Sequence, residues 1–491
     1  MRALRLVSLL GLAVLMIVAA PGFAGAATIK VTTTNDVHEG SPGGPCSLRD
    51  AVSAASDNVA VGGCPKGQGF KPDLIELGAK EYELTIASTD ESLNRDGDLD
   101  FRGGGAVRIR GKGLTDTSIT TALDDRVIEI FFGDNTETRF ENLTIDGGDA
   151  TGISFGTGGG ILVGFSKLIL DGVRLTGSTA KFGGGINAGQ EGRVVIINSK
   201  INGNHAVSGA ALALNSASEG TAATVRRSTF AGNRAEGADA GSPTTKGGAI
   251  WSRFGPLTVS DSVFFDNESR GTGEVEASGG AISAGGSLAV SGSLFEFNRA
   301  VAVDPSEHES GGAIHSLSSV GGATIVNSTF VDNRAIDGNG GAIVANAGAI
   351  GVAHTTFLGN LASEGSHVYS GPAADSFTLR NSILPGATPF VDPCGGSTVE
   401  SKGFNVASID DPECNFGAKD LPGVGNTGLA AAGLRDNGGP TETIGLKRSS
   451  PAVDLVPKRK CKIADGRDQR GFKRPAGKKC DAGAFERGAK P

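Results

Sequence analysis

The sequence predicts an all-β protein: a right-handed parallel β-helix with a short helical cap at the N-terminal end and a disulfide-bonded cap at the C-terminal end. Three observations carry this expectation. Glycine supplies 78 of 491 residues, roughly twice its usual share of about 7%. Two short motifs recur through the middle of the chain at a loose period near 30 residues. Between them lie runs that alternate apolar and polar residues, the pattern of strands with one buried face. A helical bundle is excluded, because each interior glycine costs a helix about 1 kcal/mol. Collagen is excluded because the glycines have no three-residue period, and disorder because apolar runs punctuate the whole chain.

Residues 1–26 read as a secretory signal peptide. Arg2 and Arg5 precede an apolar run over 6–20, and Ala24-Gly25-Ala26 offers the small residues of a cleavage site. No later stretch reaches the ~18–20 apolar residues of a membrane span. The expectation is an exported protein, secreted or at the cell surface. Its charge is uneven: the C-terminal stretch from Lys447 holds 14 Lys/Arg against 5 Asp/Glu, and residues 27–446 carry a net −19. Aromatic residues are nearly absent from that basic stretch, so nucleic acid is not an expected partner.

Residues 27–100 form the expected N-terminal cap. Ser47-Leu48-Arg49-Asp50 is a helix start resembling a capping box, and Leu48, Ala51, Val52 and Ala55 share one helical face. Such a helix, held by a Cys46–Cys64 bridge, would plug the open end of a solenoid. The six cysteines are Cys46, Cys64, Cys394, Cys414, Cys461 and Cys480, and six allow 15 pairings. Pairing of nearest neighbours would close three loops of about 20 residues, each worth roughly 3 kcal/mol. They flank a long cysteine-free middle, which must be stabilised differently.

That middle, residues 101–384, is the repeat region. One motif is Gly-Gly-Ala-Ile, as at Gly247-Gly248-Ala249-Ile250, Gly279-Gly280-Ala281-Ile282, Gly311-Gly312-Ala313-Ile314 and Gly340-Gly341-Ala342-Ile343. The second is an apolar residue, two variable ones and Asn: Ile201…Asn204, Phe230…Asn233, Phe264…Asn267, Phe295…Asn298, Phe330…Asn333 and Phe357…Asn360. With weaker copies at Ile145, Leu175 and Leu384, the apolar anchors are spaced by 30, 26, 29, 34, 31, 35, 27 and 27 residues, which makes a solenoid. Nine coils at about 4.8 Å each give a rod of roughly 43 Å. Each recurring residue has a structural task here. Ile and Phe stack as the core, the glycine pair permits a tight corner and a close backbone approach, and Asn can stack into an amide ladder. Residues 385–491 lack the glycine motif and hold four cysteines, so they are the expected C-terminal cap.

These residues bear a family resemblance. The segment Cys46-Ser47-Leu48-Arg49-Asp50-Ala51 resembles the signature of CSLREA-domain proteins, with Asp50 where that signature has Glu. The two repeat motifs are similar to those of chlamydial polymorphic outer-membrane proteins. Asp436-Asn437-Gly438-Gly439-Pro440-Thr441, Ser450-Pro451-Ala452-Val453-Asp454, Asp468-Gln469-Arg470-Gly471 and Cys480-Asp481-Ala482-Gly483-Ala484-Phe485-Glu486 resemble the choice-of-anchor Q domain. The resemblance implies a bacterial exported β-helix protein acting at the cell surface.

Because β-helices also house polysaccharide lyases and hydrolases, the acids require scrutiny. A lyase needs clustered carboxylates for Ca²⁺ and a base nearby. The best pair is Asp266 and Asp332, two coils apart and hence about 10 Å, with Glu296 between them. Asp124-Asp125 and Asp410-Asp411 supply adjacent acids outside the regular coils, and Arg110-Gly111-Lys112 has the Arg-x-Lys form but sits N-terminal to the main array. The histidines (His38, His205, His308, His315, His354, His367) are scattered. Sugar platforms usually use Trp or Tyr, but only Tyr82, Trp251 and Tyr369 are present. The ions expected of Asp468, Arg470, Arg474, Asp481 and Glu486 fix the C-terminal cap. The expected function is therefore non-catalytic binding, adhesion or scaffolding by a monomer. Its partner would be a host or environmental glycan or a cell-surface protein, with no cofactor unless acids collect a calcium ion. The alternative is a lyase or hydrolase of the pectin-lyase-like class.

Overall fold

The computed structural model describes residues 26–491 except 70, 88–91, 104, 132–136, 218–219, 238–243, 273–274, 303–309, 318–320, 387–391 and 398. The signal-peptide expectation and His308 lie outside the described residues. The chain winds as a parallel β-solenoid, with one 23-stranded, one 11-stranded and one 5-stranded sheet running along its length. Among the described residues, no helix is long and apolar enough to cross a membrane.

One rung shows how sequence becomes shape. Strand Leu257–Ser260 alternates buried Leu257 and Val259 with outward Thr258. The chain bends at Asp261 (φ 52°), runs through Val263–Phe265, and turns at Asp266 (φ 50°) into Glu268–Gly271. After Gly279 (φ 64°) it enters Ile282–Ala284 on the 11-stranded sheet, the third sheet that each rung visits. The two glycines of the motif do different work. Gly279 adopts the left-handed conformation, whereas a Cβ on Gly280 would sit 2.2 Å from the carbonyl oxygen of Gly312 in the next rung. Only glycine serves both roles.

Register makes the interior repetitive. Phe264 pairs with Phe295, and Phe295 with Phe330. The rings of Phe230, Phe264, Phe295, Phe330 and Phe357 stack at centroid distances of 5.0, 4.8, 4.7 and 5.4 Å. His367 stacks on the last ring at 5.3 Å. At the corner beyond each Phe, Asn204, Asn233, Asn267, Asn298, Asn333 and Asn360 are fully buried. Each Nδ2 of the first five donates to the next Oδ1 at 2.9–3.0 Å. A serine ladder lies at the bend. Ser199, Ser228, Ser262 and Ser293 each donate a backbone N–H to the hydroxyl of the next rung's serine, the last of them Ser328, at 3.1–3.3 Å.

The rungs extend beyond 101–384 in both directions. Thr28–Lys30 pairs in parallel with Asp73–Glu76, which pairs with Val107–Arg110, and Ile383–Leu384 pairs with Val406–Ala407. The third sheet has 11 strands, where the motifs mark nine coils. The outermost rungs carry cap loops in place of the Gly-Gly corner, which hides them from motif counting.

The bridges are Cys46–Cys64, Cys394–Cys414 and Cys461–Cys480. The helix Leu48–Asp57 begins at Ser47, whose hydroxyl accepts from the Asp50 N–H at 3.0 Å. Arg49 is fully buried. Its five N–H donors reach both Asp36 carboxylate oxygens and the carbonyls of Asp96, Gly97 and Asp98. One guanidinium thus ties the helix to two loops.

Residues 385–491 split into two parts. Cys394–Cys414 lies at the end of the rod, while residues 427–486 fold back beside it. Thr441 donates to the Gly292 carbonyl, Asn327 to the Arg467 carbonyl, Thr329 to Gln469, and the Ala484 N–H to Thr356. Within this lobe Arg474 is fully buried and bridges Glu486 at 3.1 Å. Arg470 pairs with Asp468 at 2.6 Å and lies over the Phe485 ring. These ions are consumed internally.

Candidate functional site

The acids singled out from sequence fall at separate places along the rod. Asp266 and Asp332 occupy the same corner two rungs apart, with Phe297 (φ 56°) at the equivalent corner of the rung between. Asp266 pairs with Arg299 at 3.1 Å. Burial raises the carboxyl pKa of Asp332 and of Glu296, and the nearby charge of Glu442 raises Glu296 further. Arg110 lies 3.3 Å from Glu141, which also bonds Arg108 and Arg139, each at 2.6 Å. Burial pushes Glu141 up, but these three arginines outweigh it and hold the carboxyl below its ordinary value. Asp125 accepts the Arg126 N–H, and Asp411 accepts those of Cys394 and Glu413. His315 and His367 are buried, which lowers them to about 3 and about 4. They are neutral wall residues.

Near the N-terminal end Asp98, Asp100 and Glu129 each place an oxygen within 4.8 Å of the others. This donor set suits a hard cation. Arg126 already supplies a positive charge there, 2.5 Å from Glu129 and 3.5 Å from Asp98. Asp100 also accepts the Asn94 N–H at 2.7 Å. Burial above all, and then Asp100, raise Asp98 well above its ordinary value.

A different region is built for contact. The outward column of the third sheet runs through Glu129, Leu162, Asn187, Ala213 and Trp251 by register. Around Leu162 and Asn187 lies a cavity of about 260 Å³ whose lining includes Phe131, Phe155, Gln190 and Asn215 and, among the described residues, no charged side chain. Phe155 is 89% exposed and sits at φ 65°, ψ −17°, a conformation that costs a bulky residue of order 1–3 kcal/mol. Phe131 and Phe165 meet edge to face at 5.9 Å. Two rungs beyond Asn187, Trp251 packs against Phe182 at 5.5 Å. Sequence reasoning weighed Trp and Tyr and missed these phenylalanines, because each occurs once on an outer face and leaves no periodic signal.

No protein-family model and no curated protein matches this chain.

Proposed function

We propose that this chain is an exported β-helix protein that binds a ligand without chemical turnover, presenting the outer face of its third sheet to an extracellular glycan or cell-surface molecule. One observation carries the reading. The most exposed aromatic ring among the described residues, Phe155, lines a cavity with no charged side chain among those residues, while Asp266, Glu141 and Asp411 are held in ion pairs and backbone hydrogen bonds. Three disulfides support an oxidising compartment outside the cytosol. The CSLREA-like and choice-of-anchor Q-like ends support membership of the bacterial surface proteins they resemble, with Arg49 and Arg474 as fold-fixing residues. No cofactor is required. The protein acts as a rigid monomeric scaffold that displays its binding face along the rod.

The test is a glycan array probed with the purified mature protein, alongside a turnover assay on acidic and neutral polysaccharides with and without Ca²⁺. Binding without new reducing ends or unsaturated products is expected. Turnover that disappears on replacing Asp332 would establish the lyase or hydrolase alternative instead.

A further inference from the structure

Resting on that binding reading, we infer that the cavity between Phe155 and Asn187 takes the apolar face of an uncharged sugar ring, so that the ligand class is a neutral glycan. Three features meet there. The first is shape and polarity: a cavity of about 260 Å³, lined by aromatic rings and by amides from Asn187, Gln190 and Asn215. Sugar rings offer an apolar C–H face bordered by hydroxyls, which aromatic faces and amides match.

The second feature is an unmet polar atom. Asn187 is only 4% exposed, and its Oδ1 has no hydrogen-bond partner among the described residues. A buried acceptor left alone costs roughly 1–3 kcal/mol. It lines the cavity, where a sugar hydroxyl would satisfy it. The third is charge. Residues 27–446 carry a net −19, yet among the described residues the lining has no charged side chain. A uronate carboxylate would enter with no cation to receive it, whereas a neutral ring would not incur that desolvation cost. Phe155, in a strained conformation and exposed, is positioned as the stacking surface. Trp251 lies two rungs beyond Asn187, about 10 Å at the rung spacing, and its ring packs against Phe182 on Asn187's own rung, within reach of a short oligosaccharide.

Trp251 is the single tryptophan, so its fluorescence, together with calorimetry, reads occupancy in the intact mature protein. The probes are hexasaccharides of cellulose, xylan, mannan and polygalacturonic acid. Binding of at least one neutral hexasaccharide is expected, weakened about tenfold or more by Phe155→Ala, as loss of one stacked ring implies. Asn187→Ala is expected to weaken it too. Phe254→Ala, removing another exposed ring outside the cavity lining, is expected to leave it unchanged. Phe155 is exposed enough that its replacement tests binding without threatening the fold, which thermal unfolding verifies. Unaltered binding by Phe155→Ala would overturn the site while leaving the binding function intact. Preference for the galacturonate would overturn the neutral class. Failure of the wild-type protein to bind any glycan, on the array or in solution, would overturn the binding function itself.

Discussion

Replacing Asn267 by alanine removes the centre of the amide ladder, and its cost can be worked out group by group. The Asn267 Oδ1 accepts from the backbone N–H of Asn233 at 3.2 Å and from its Nδ2 at 2.9 Å. Its own Nδ2 donates to the Phe230 carbonyl and to Asn298 Oδ1, both at 2.9 Å. The substitution therefore removes four buried hydrogen bonds to the two flanking rungs, although Asn233 Nδ2 keeps the Ile201 carbonyl and Asn298 Oδ1 keeps the backbone N–H of residue 267. At about 1 kcal/mol net per hydrogen bond, and more where a buried group stays unsatisfied, the loss is about 4–6 kcal/mol. Each rung touches only its neighbours, so the damage is local. Urea unfolding followed by circular dichroism measures the magnitude, and hydrogen exchange measures the location. Protection is expected to fall around residues 229–234, 263–268 and 294–299, and to hold in the helix Leu48–Asp57. A loss below about 1 kcal/mol, or protection lost uniformly along the rod, would refute the claim that these amides hold the corner together.

Other consequences are equally open to measurement. Phe295→Ala, in the middle of the ring stack, is expected to cost about 3–5 kcal/mol in the same denaturation assay. Gly280→Ala forces a Cβ to within 2.2 Å of the next rung's backbone and is expected to cost about 3 kcal/mol. Gly232→Ala, at φ 60° with nothing within 4 Å of the added carbon, is expected to cost only about 1 kcal/mol. Equal effects at the two glycines would contradict the division of roles described above. Burial holds His315 at about 3, against 6.5 for an ordinary histidine. The unfolded chain therefore binds the extra proton as pH falls below 6.5, and stability drops. Between pH 7 and pH 5 that histidine removes about 2 kcal/mol, at 1.36 kcal/mol per pKa unit. His315→Gln is expected to flatten the pH dependence of unfolding by that amount. An unchanged profile would show that His315 titrates normally.

What could be read in advance was whatever repeats. The Ile, Phe and Asn positions recur because every rung meets the same neighbours, and a parallel register places identical residues on top of one another. The serine ladder was harder to see. Serine is common in loops, and only the left-handed residue before it, such as Asp261 or Asn327, distinguishes these copies. The lobe of residues 427–486 was expected at the end of the rod, yet it lies along the flank. Its docking bonds join residues 128 to 149 positions apart, a separation that no local pattern encodes. Asp266 and Asp332 were correctly placed on one corner, but the partner Arg299 came from the following sheet. The cavity around Asn187 depends on a loop at Phe155 and a neighbouring turn at Gln190, each present once. The scarcity of Trp and Tyr pointed away from sugars because it left out phenylalanine.

The most direct test of the account is to measure binding and turnover together on the purified mature protein. Calorimetry with the neutral and acidic hexasaccharides would run in parallel with product analysis of the same mixtures after prolonged incubation. The account predicts saturable binding of a neutral hexasaccharide that is recovered uncleaved. Cleavage of any of these glycans, lost when the protein's acidic side chains are replaced, would contradict it and make the rod an enzyme.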